Sequence, residues 1–248
     1  MKPALLITGA SRGIGAATAR LAAAAGWDVV INYARDEAAA QAVARQVREL
    51  GSRALVLRGD VSVEADVLAL FAAVDSEFGA LGGLVNNAGV VDQPSRVEDM
   101  SLARLTRMLG INVIGSMLCA REAVRRMSTR HGGVGGVIVN LSSAAAKLGS
   151  PGQYVDYAAA KGAIDSFTLG LAREVAAEGI RVNAVRPGII ETDIHASGGI
   201  PGRAQQLAPS VPMQRAGSAD EVAQAIVWLL SGASSYTTGA TIEVTGGR

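Results

Sequence analysis

Short apolar runs alternate with longer amphipathic patterns along the whole chain, and this alternation limits the possible folds more than any other feature. Seven runs have the length and composition of buried strands: 4–7, 29–32, 54–57, 84–85, 137–141, 181–185 and 241–244. The main helical patterns lie at about 13–25, 37–50, 64–78, 102–129, 154–178 and 219–230. Strands that alternate with helices pair in parallel through right-handed crossovers. The sequence therefore predicts an α/β fold, a doubly wound parallel sheet with helices on both faces.

Composition and charge exclude several classes of protein. The 248 residues are 49% hydrophobic and 18% charged, with a formal net charge of +1. This balance is typical of a compact globular chain and gives no reason to expect nucleic acid or an anionic membrane as a partner. Two isolated histidines are too few to suggest a metal site. No linker or low-complexity tract interrupts the chain, so we expect one domain over residues 1–248.

The sequence also indicates the cellular compartment in which we expect the protein. No uninterrupted apolar run reaches membrane-spanning length, and a strand that begins at residue 4 leaves no room for a signal peptide. The single cysteine, Cys119, fits a reducing compartment. We therefore expect a cytoplasmic protein.

A glycine-rich segment, TGASRGIG at residues 8–15, separates the first strand from the first helix. Glycines let the backbone approach a pyrophosphate, and the helix N-terminus supplies free N–H groups and a positive dipole end. The spacing is G-x-x-x-G-x-G rather than the more common G-x-G-x-x-G. Strand, glycine turn and helix in this order predict a dinucleotide-phosphate site formed by Gly9, Ser11, Arg12, Gly13, Ile14 and Gly15.

The residues after the second strand bear on the choice of cofactor. NAD-selective domains often place a carboxylate there, which holds the adenosine ribose hydroxyls. Here Tyr33 takes that position, and Arg35 and Arg12 are close by. Two guanidinium groups without a carboxylate suit a 2′-phosphate, whereas two solvated surface arginines are the alternative. The sequence favours NADP(H) over NAD(H).

Further candidates lie where other strands end, because ligands of doubly wound sheets bind at the carboxyl ends of the strands. Asp60 suits a hydrogen bond from an adenine amino group, and a turn or cap role is the alternative. Asn112 lies inside a helical pattern, where asparagine is mediocre, so it indicates a satisfied buried amide or a functional kink. The other strand-end candidates are Asn87, Ala88, Gly89, Ser142, Ser143, Pro187 and Gly188.

Tyr157 and Lys161 carry the acid–base chemistry in this interpretation. Their spacing of four residues puts the phenol and the ammonium on the same face of a helix. The pKa of a free tyrosine is about 10, and a nearby positive charge lowers it toward the useful range. The pair therefore suits proton transfer to or from the oxygen of an alcohol or a carbonyl.

Five blocks of the chain together resemble the short-chain dehydrogenase/reductase family over nearly the full length. They are residues 8–15, 60–61, 86–89 and 157–161, and 187–188 with Thr192. The resemblance implies a Rossmann domain with sheet order 3-2-1-4-5-6-7, NAD(P)-dependent redox chemistry and a homotetramer built on the long helices. Within the family, the chain is most similar to ketoacyl-carrier reductases and glucose-dehydrogenase-like members.

The family's catalytic set maps by position onto Asn112, Ser143, Tyr157 and Lys161. The resemblance also implies cofactor contacts from Val61, Tyr157, Lys161, Ile190 and Thr192. The serine is a departure, because the family's serine usually precedes the tyrosine by thirteen residues, and Ala144 stands there. Ser143 is fourteen residues away and Ser142 fifteen, and the turn at 149–152 could absorb one extra residue. We assign the role to Ser143, with Ser142 as the alternative.

These assignments predict an NAD(P)(H)-dependent oxidoreductase that interconverts a small carbonyl compound and a secondary alcohol, with ketone reduction by NADPH favoured. An NADP(H)-binding sensor or scaffold without turnover is the alternative. Residues 192–212, rich in glycine and proline, are predicted to form a substrate lid. Ile194 and His195 in this lid suggest a mixed polar and apolar pocket.

Overall fold

Seven parallel strands form one sheet in the order β3-β2-β1-β4-β5-β6-β7. This order confirms the predicted doubly wound α/β fold. The protein is represented by a computed structural model, which describes residues 2–192 and 198–248. The strands are β1 Ala4–Ile7, β2 Asp28–Tyr33, β3 Ala54–Arg58, β4 Leu81–Asn86, β5 Gly136–Leu141, β6 Ile180–Pro187 and β7 Thr241–Val244.

Helices connect the strands and cover both faces of the sheet. Their capping follows local sequence rules; for example, Ser218 and Glu221 form a reciprocal capping box at the start of the last helix. Within the described residues, the helices are α1 Gly13–Ala24, α2 Glu37–Glu49, α3 Glu64–Phe78, α4 Leu102–Leu109, α5 Gly115–Met127, α6 Ala145–Leu148, α7 Val155–Val175, α8 Arg203–Leu207 and α9 Ala219–Leu230.

Two hydrophobic clusters sandwich the sheet. Successive side chains of a strand point to opposite faces, so Leu5 and Ile7 enter one cluster and Leu6 enters the other. The first cluster joins the sheet to α1, α2 and α9, and the second joins it to α3, α5 and α7. Burial on both faces explains why the strands read as continuous apolar runs.

Strand β4 begins earlier than the predicted run 84–85. Gly82 and Gly83 interrupt the apolar pattern, but they extend the strand back to Leu81. A Cβ at Gly82 would lie 2.9 Å from Cβ of Pro3 and 3.1 Å from the Trp27 ring. Glycine is required there by close packing, which a periodicity argument does not detect.

The helix predicted over 102–129 contains a π-helical turn at Gly110–Ile114, between α4 and α5. Among the described residues, the stretch Leu102–Met127 is the one helix long and apolar enough to cross a membrane by length and composition alone. Its Cys119, Ala120 and Ala123 side chains pack in the second core cluster. Core helices of globular proteins pass the same test of length and composition.

Candidate active site

A cleft of about 660 Å³ opens at the carboxyl ends of the strands. Loops that follow β1 to β6 form its wall, as expected for a doubly wound sheet. Most residues selected from the sequence meet in this wall. They are Gly9, Arg12, Gly13, Ile14, Arg35, Asp60, Val61, Asn87, Ala88, Gly89, Ser142, Ser143, Tyr157, Lys161, Pro187, Gly188, Ile190 and Thr192.

Four selected residues of the described chain do not form the wall: Ser11, Gly15, Tyr33 and Asn112. Tyr33 is 6% exposed, and its ring packs in the first core cluster, because its place as the last residue of β2 points it inward. Its neighbours Asn32 and Ala34 line the cleft instead. Ile194 and His195 of the predicted lid lie outside the described residues.

The glycine turn is built for close backbone approach. Gly9 has φ +62°, and a Cβ there would lie 2.9 Å from Cα of Ala88. A Cβ on Gly15 would lie 2.5 Å from Nδ2 of Asn87, which donates to the carbonyl oxygens of Thr8 and Gly9, each at 2.9 Å. The Thr8 hydroxyl accepts from the backbone N–H groups of Asn87 and Ala88, each at 3.0 Å. The loops after β1 and β4 therefore form one rigid cradle.

Asn32 holds the second side of this cradle and was missed from the sequence. Its Nδ2 donates to the carbonyl of Gly59 at 3.0 Å, and its Oδ1 accepts from the N–H of Gly9 at 3.2 Å. One amide thus fixes the ends of β1, β2 and β3 relative to one another. The available signal was a polar residue at the end of the apolar run VVIN, residues 29–32.

Asp60 serves as a turn residue and also lines the cleft. Its Oδ1 accepts from the N–H of Ser62 at 2.9 Å and from the Ser62 hydroxyl at 2.7 Å. The two interpretations of Asp60 offered by the sequence are therefore compatible, because the same carboxylate shapes the turn and faces the cavity.

Lys161 is buried beside Tyr157 at the other end of the cleft. Its Nζ lies 5.6 Å from the centroid of the Tyr157 ring and donates to the carbonyl of Leu141 at 2.7 Å. Burial lowers the pKa of the Lys161 ammonium to about 8, and the negative charge of Asp165 opposes that shift.

The pKa of the Tyr157 phenol is raised, which differs from the expectation of a lowered value. Burial is the main cause, and a hydrogen bond with the Ser143 side chain opposes it. Desolvation of the phenolate therefore outweighs the stabilisation that its neighbours supply. The phenol is held protonated at neutral pH.

Ser143 and Ser142 face in different directions. The Ser143 side chain interacts with the Tyr157 phenol and lowers its pKa against the effect of burial, and its Oγ accepts from the N–H of Ala145 at 3.1 Å. Ser142 is buried, and its hydroxyl donates to the backbone carbonyl of Lys161 at 3.3 Å. Of the two, Ser143 shares the space above the tyrosine, whereas Ser142 attaches β5 to α7.

Asn112 lies in the π turn and is fully buried. Its Nδ2 donates to the carbonyls of Val90 and Met108, each at 3.0 Å, and its Oδ1 accepts from the N–H of Val90 at 3.2 Å. A Cβ on Gly89 would lie 2.9 Å from Asn112 Oδ1 and 3.6 Å from Lys161 Nζ. Asn112 thus holds the loop after β4 beside Lys161, and both sequence interpretations, a satisfied amide and a kink, apply.

Neither a metal cluster nor a reactive thiol adds to this site. Within residues 2–192 and 198–248, no three histidine, cysteine, aspartate or glutamate side chains are grouped to hold an ion. Burial raises the pKa of the Cys119 thiol to about 12, so the thiol is inert at neutral pH.

Comparison with known proteins agrees with this geometry. Residues 9–248 match the family model described as enoyl-(acyl carrier protein) reductase. The chain is 54% identical to the uncharacterized oxidoreductase YgfF of Escherichia coli, over 98% of both chains. It is 41% identical to a cis-4-hydroxycyclohexanecarboxylate dehydrogenase of Sinomonas cyclohexanicum, over 98% of this chain and 94% of that one.

A solved structure has the same fold. The 3-ketoacyl-(acyl-carrier-protein) reductase of Brucella melitensis complexed with NADH superposes with a TM-score of 0.91 at 35% identity, over 99% of this chain and 98% of that one. The chain belongs to the short-chain dehydrogenase/reductase family. This short-chain dehydrogenase/reductase is an oxidoreductase of the class that uses NAD(P)(H) and acts on alcohol or carbonyl groups.

The start of α1 suits such a dinucleotide, because the helix begins at Gly13 on the cleft wall. Backbone N–H groups at a helix start bind phosphate without requiring a basic side chain. Gly9 and Gly15 serve protein packing, because a Cβ on either would meet Ala88 or Asn87 of the loop after β4. A pyrophosphate site at the start of α1 stays a prediction.

A buried ion pair missed from the sequence holds the tyrosine-bearing helix. Arg104 of α4 donates to both carboxylate oxygens of Asp156, at 2.8 and 3.2 Å, and to the carbonyl of Gln93 at 2.6 Å. The side chains of Arg104 and Asp156 are 11% and 2% exposed. Because Asp156 directly precedes Tyr157, this bidentate pair positions the start of α7 relative to α4 and the loop after β4.

A second set of ion pairs in this dehydrogenase/reductase includes Asp165, which lies on α7 after Lys161. Arg186 of β6 pairs with Asp165 of α7 at 2.7 Å and with Glu243 of β7 at 2.6 Å. Glu243 also pairs with Lys147 of α6. This network connects α6 and α7, which flank the turn between Ser143 and Tyr157, with strands β6 and β7. It also holds the carboxylate of Asp165 one helical turn after Lys161.

Proposed function

We propose that this short-chain dehydrogenase/reductase reduces a ketone to a secondary alcohol with NADPH as the hydride donor. The supporting observation is that Ser143, Tyr157 and Lys161 meet at one end of a cleft that has a dinucleotide cradle at its other end. When bound, the reduced nicotinamide supplies the hydride.

The chain's own residues then manage the substrate oxygen. Tyr157 holds the proton that this oxygen receives, and its raised pKa keeps that proton in place until charge develops. Ser143 donates a hydrogen bond to the same oxygen. Lys161 and Asn112 lie on the path by which a proton returns to Tyr157 from solvent. Thr192 orients the carboxamide of the cofactor.

The function is tested by following the absorbance of NADPH with a panel of small ketones, with NADH in parallel. We expect ketone-dependent oxidation of NADPH and the reverse reaction with the matching secondary alcohols. NADPH binding without turnover of any ketone would contradict the proposal and support a sensor or scaffold.

The preference for NADPH is part of the proposal. Arg12 and Arg35 line the cleft after β1 and β2. The nearest carboxylate of that segment, Asp36, accepts from the N–H of Ala39 as the N-cap of α2. Two guanidinium groups at the adenosine end support recognition of a 2′-phosphate.

We therefore expect NADPH to bind at least about tenfold more tightly than NADH, since a charge-assisted hydrogen bond contributes about 1.5–3 kcal/mol. Arg35→Asp should reduce or reverse this ratio, and titration of cofactor fluorescence measures it. Arg45→Asp, an exposed arginine of α2, is the control for an equal change of charge. Equal binding of both cofactors by the parent protein would show that the arginines do not select.

Burial lowers the pKa of Lys161, and the charge of Asp165 opposes this shift, so both should contribute to the pH dependence of reduction. Because this carboxylate raises the pKa of Lys161, Asp165→Asn should lower that pKa below its value of about 8. Lys161 then loses its positive charge at a lower pH. The alkaline fall of kcat/KM for ketone reduction should begin at a lower pH than in the parent.

The matched control is Glu243→Gln, which also removes a partner of Arg186 but leaves Asp165 in place. Its pH profile should coincide with that of the parent. If both variants shift equally, the effect comes from Arg186 and the packing around it.

We also propose a homotetramer built on α4, α5 and α7. Large apolar side chains are exposed on these helices in the single chain, with Leu102 79% and Ile114 51% exposed. Leu109, Met117 and Leu169 belong to the same set. Exposed apolar patches of this extent mark interaction surfaces.

Sedimentation at micromolar concentration should therefore give four times the mass of one chain. Ile114→Glu should weaken the assembly, whereas Leu50→Glu, an exposed apolar residue beside α2, should not. A monomeric parent protein would contradict the proposal.

We propose that residues 1–248 act as one cofactor-binding domain and that the segment 192–212 covers the substrate. Arg203 and Leu207 of α8 line the cleft, which supports the covering role. A cytoplasmic location is also proposed, supported by the lone buried thiol of Cys119.

A further inference from the structure

Arg203 is a cation at the substrate end of the cleft. It lines the wall, and its guanidinium carbon lies 5.2 Å from the centroid of the Tyr154 ring. It also donates to the side-chain carbonyl of Gln153. Both partners are neutral, and within the described residues no carboxylate pairs with Arg203.

The neighbouring charges do not neutralise this end of the cleft. Arg107 also lines the wall, but it pairs with Asp92 at 3.1 Å, and Arg104 pairs with Asp156. The side-chain carboxylates that line the described wall are Asp36 and Asp60, which follow β2 and β3 at the cofactor end, and Arg248 adds a further guanidinium to the wall. Glu191 accepts from the side chain of Gln205 in α8, but it is exposed and does not line the wall. The substrate end therefore has a positive potential that favours an anion.

Ser150 adds a second, independent feature. It lines the cleft with φ +47°, in the left-handed region that serine rarely occupies. Its carbonyl accepts from the N–H groups of Gln153 and Tyr154, which closes the turn before α7. Within the described chain, no hydrogen bond of its hydroxyl accounts for a serine here. Such strain at a pocket wall is typical of a functional constraint.

We propose that Arg203, together with the Ser150 hydroxyl, binds a carboxylate of the substrate, so that the preferred substrates are oxo acids. The inference rests on the proposed ketone reduction. A guanidinium matches a carboxylate with two parallel hydrogen bonds. Tyr154 lies one helical turn before Tyr157, so a carboxylate above the Tyr154 ring is within reach of a short carbon chain from the reacting ketone.

Matched pairs of oxo acids and their methyl esters test this proposal. We use 4-oxopentanoate, 5-oxohexanoate and 6-oxoheptanoate, because the series varies the distance between ketone and charge. For at least one length, kcat/KM of the acid should exceed that of its ester by about tenfold or more. The preference should shrink as ionic strength rises, because salt screens the attraction.

Variants identify the residues responsible. Arg203→Gln should bring the ratio of acid to ester close to one, mainly through a higher KM for the acid. Ser150→Gly should reduce the ratio without lowering the melting temperature, since glycine accepts the positive φ. Arg130→Gln, an exposed arginine after α5, should leave the ratio unchanged.

Binding of hexanoate, measured by calorimetry in the presence of NADP⁺, gives a readout that needs no turnover. It should weaken about tenfold or more in Arg203→Gln, whereas methyl hexanoate should bind both proteins equally. If esters are reduced but acids are not preferred, this inference fails while ketone reduction stands. If no ketone is reduced, the proposed function fails, and hexanoate binding that is independent of Arg203 overturns the inference as well.

Discussion

Tyr157→Phe should lose nearly all ketone reduction while the fold and cofactor affinity remain. The substitution removes one hydroxyl, which is the group proposed to hold the transferred proton, and leaves the ring that lies 5.6 Å from Lys161. General acid catalysis contributes about 10²- to 10⁴-fold, so kcat should fall by at least about a hundredfold. Single-turnover kinetics with saturating NADPH, together with cofactor titration, measure both quantities.

The control for loss of a tyrosine hydroxyl is Tyr236→Phe, because Tyr236 is fully exposed. It should reduce ketones at the rate of the parent. If Tyr157→Phe keeps activity within threefold of the parent, Tyr157 is not the proton donor. The dinucleotide cradle would stand in that case, because it is formed by the opposite end of the cleft.

Ser143→Ala should cost more activity than Ser142→Ala. Both serines line the cleft, but the Ser143 side chain interacts with the Tyr157 phenol, whereas the Ser142 hydroxyl donates to the backbone carbonyl of Lys161. Loss of a group that stabilises developing charge on oxygen typically reduces kcat by about 10²- to 10³-fold. Parallel measurements of kcat and KM on both variants, with the thermal unfolding midpoint, decide between the two serines.

The two variants differ in a second readout. Ser142→Ala removes a buried hydrogen bond and should lower the unfolding midpoint with a modest effect on kcat. Ser143→Ala should leave the midpoint nearly unchanged. The reverse pattern of activities would transfer the role to Ser142 and would mean that the cleft rearranges when substrate binds.

The fold followed from the sequence because parallel strands leave a strong local signal. A strand covered on both faces is apolar at every position, and a glycine turn after the first strand identifies the ligand edge. The position of the cleft could be predicted for the same reason, because the carboxyl ends of parallel strands lie at one edge of the sheet regardless of how the helices pack. Local patterns failed at Gly82, where contact with Pro3 and Trp27 requires glycine inside a strand.

The supporting residues could not be predicted, because their roles depend on contacts between distant segments. Arg104 and Asp156 are 52 positions apart, and neither has a local pattern that distinguishes a buried pair from two surface charges. The sequence indicated only that Asn32 ends the second strand, whereas its side-chain amide connects the segments that follow β1, β2 and β3. The pKa of Tyr157 depends on how deeply the ring is buried, which the spacing to Lys161 does not reveal.

The π turn at Gly110–Ile114 contains one residue more than a regular helix would hold over the same length. The wide turn absorbs this extra residue, so α5 keeps the orientation that a continuous α-helix would give it. Deletion of one residue there should therefore restore a regular α-helix, with Cys119 and Met127 still facing the core. The loss would fall on Asn112, whose amide the widened turn directs toward Val90 of the loop after β4. Shortening the turn by one residue should thus damage the site more than the fold.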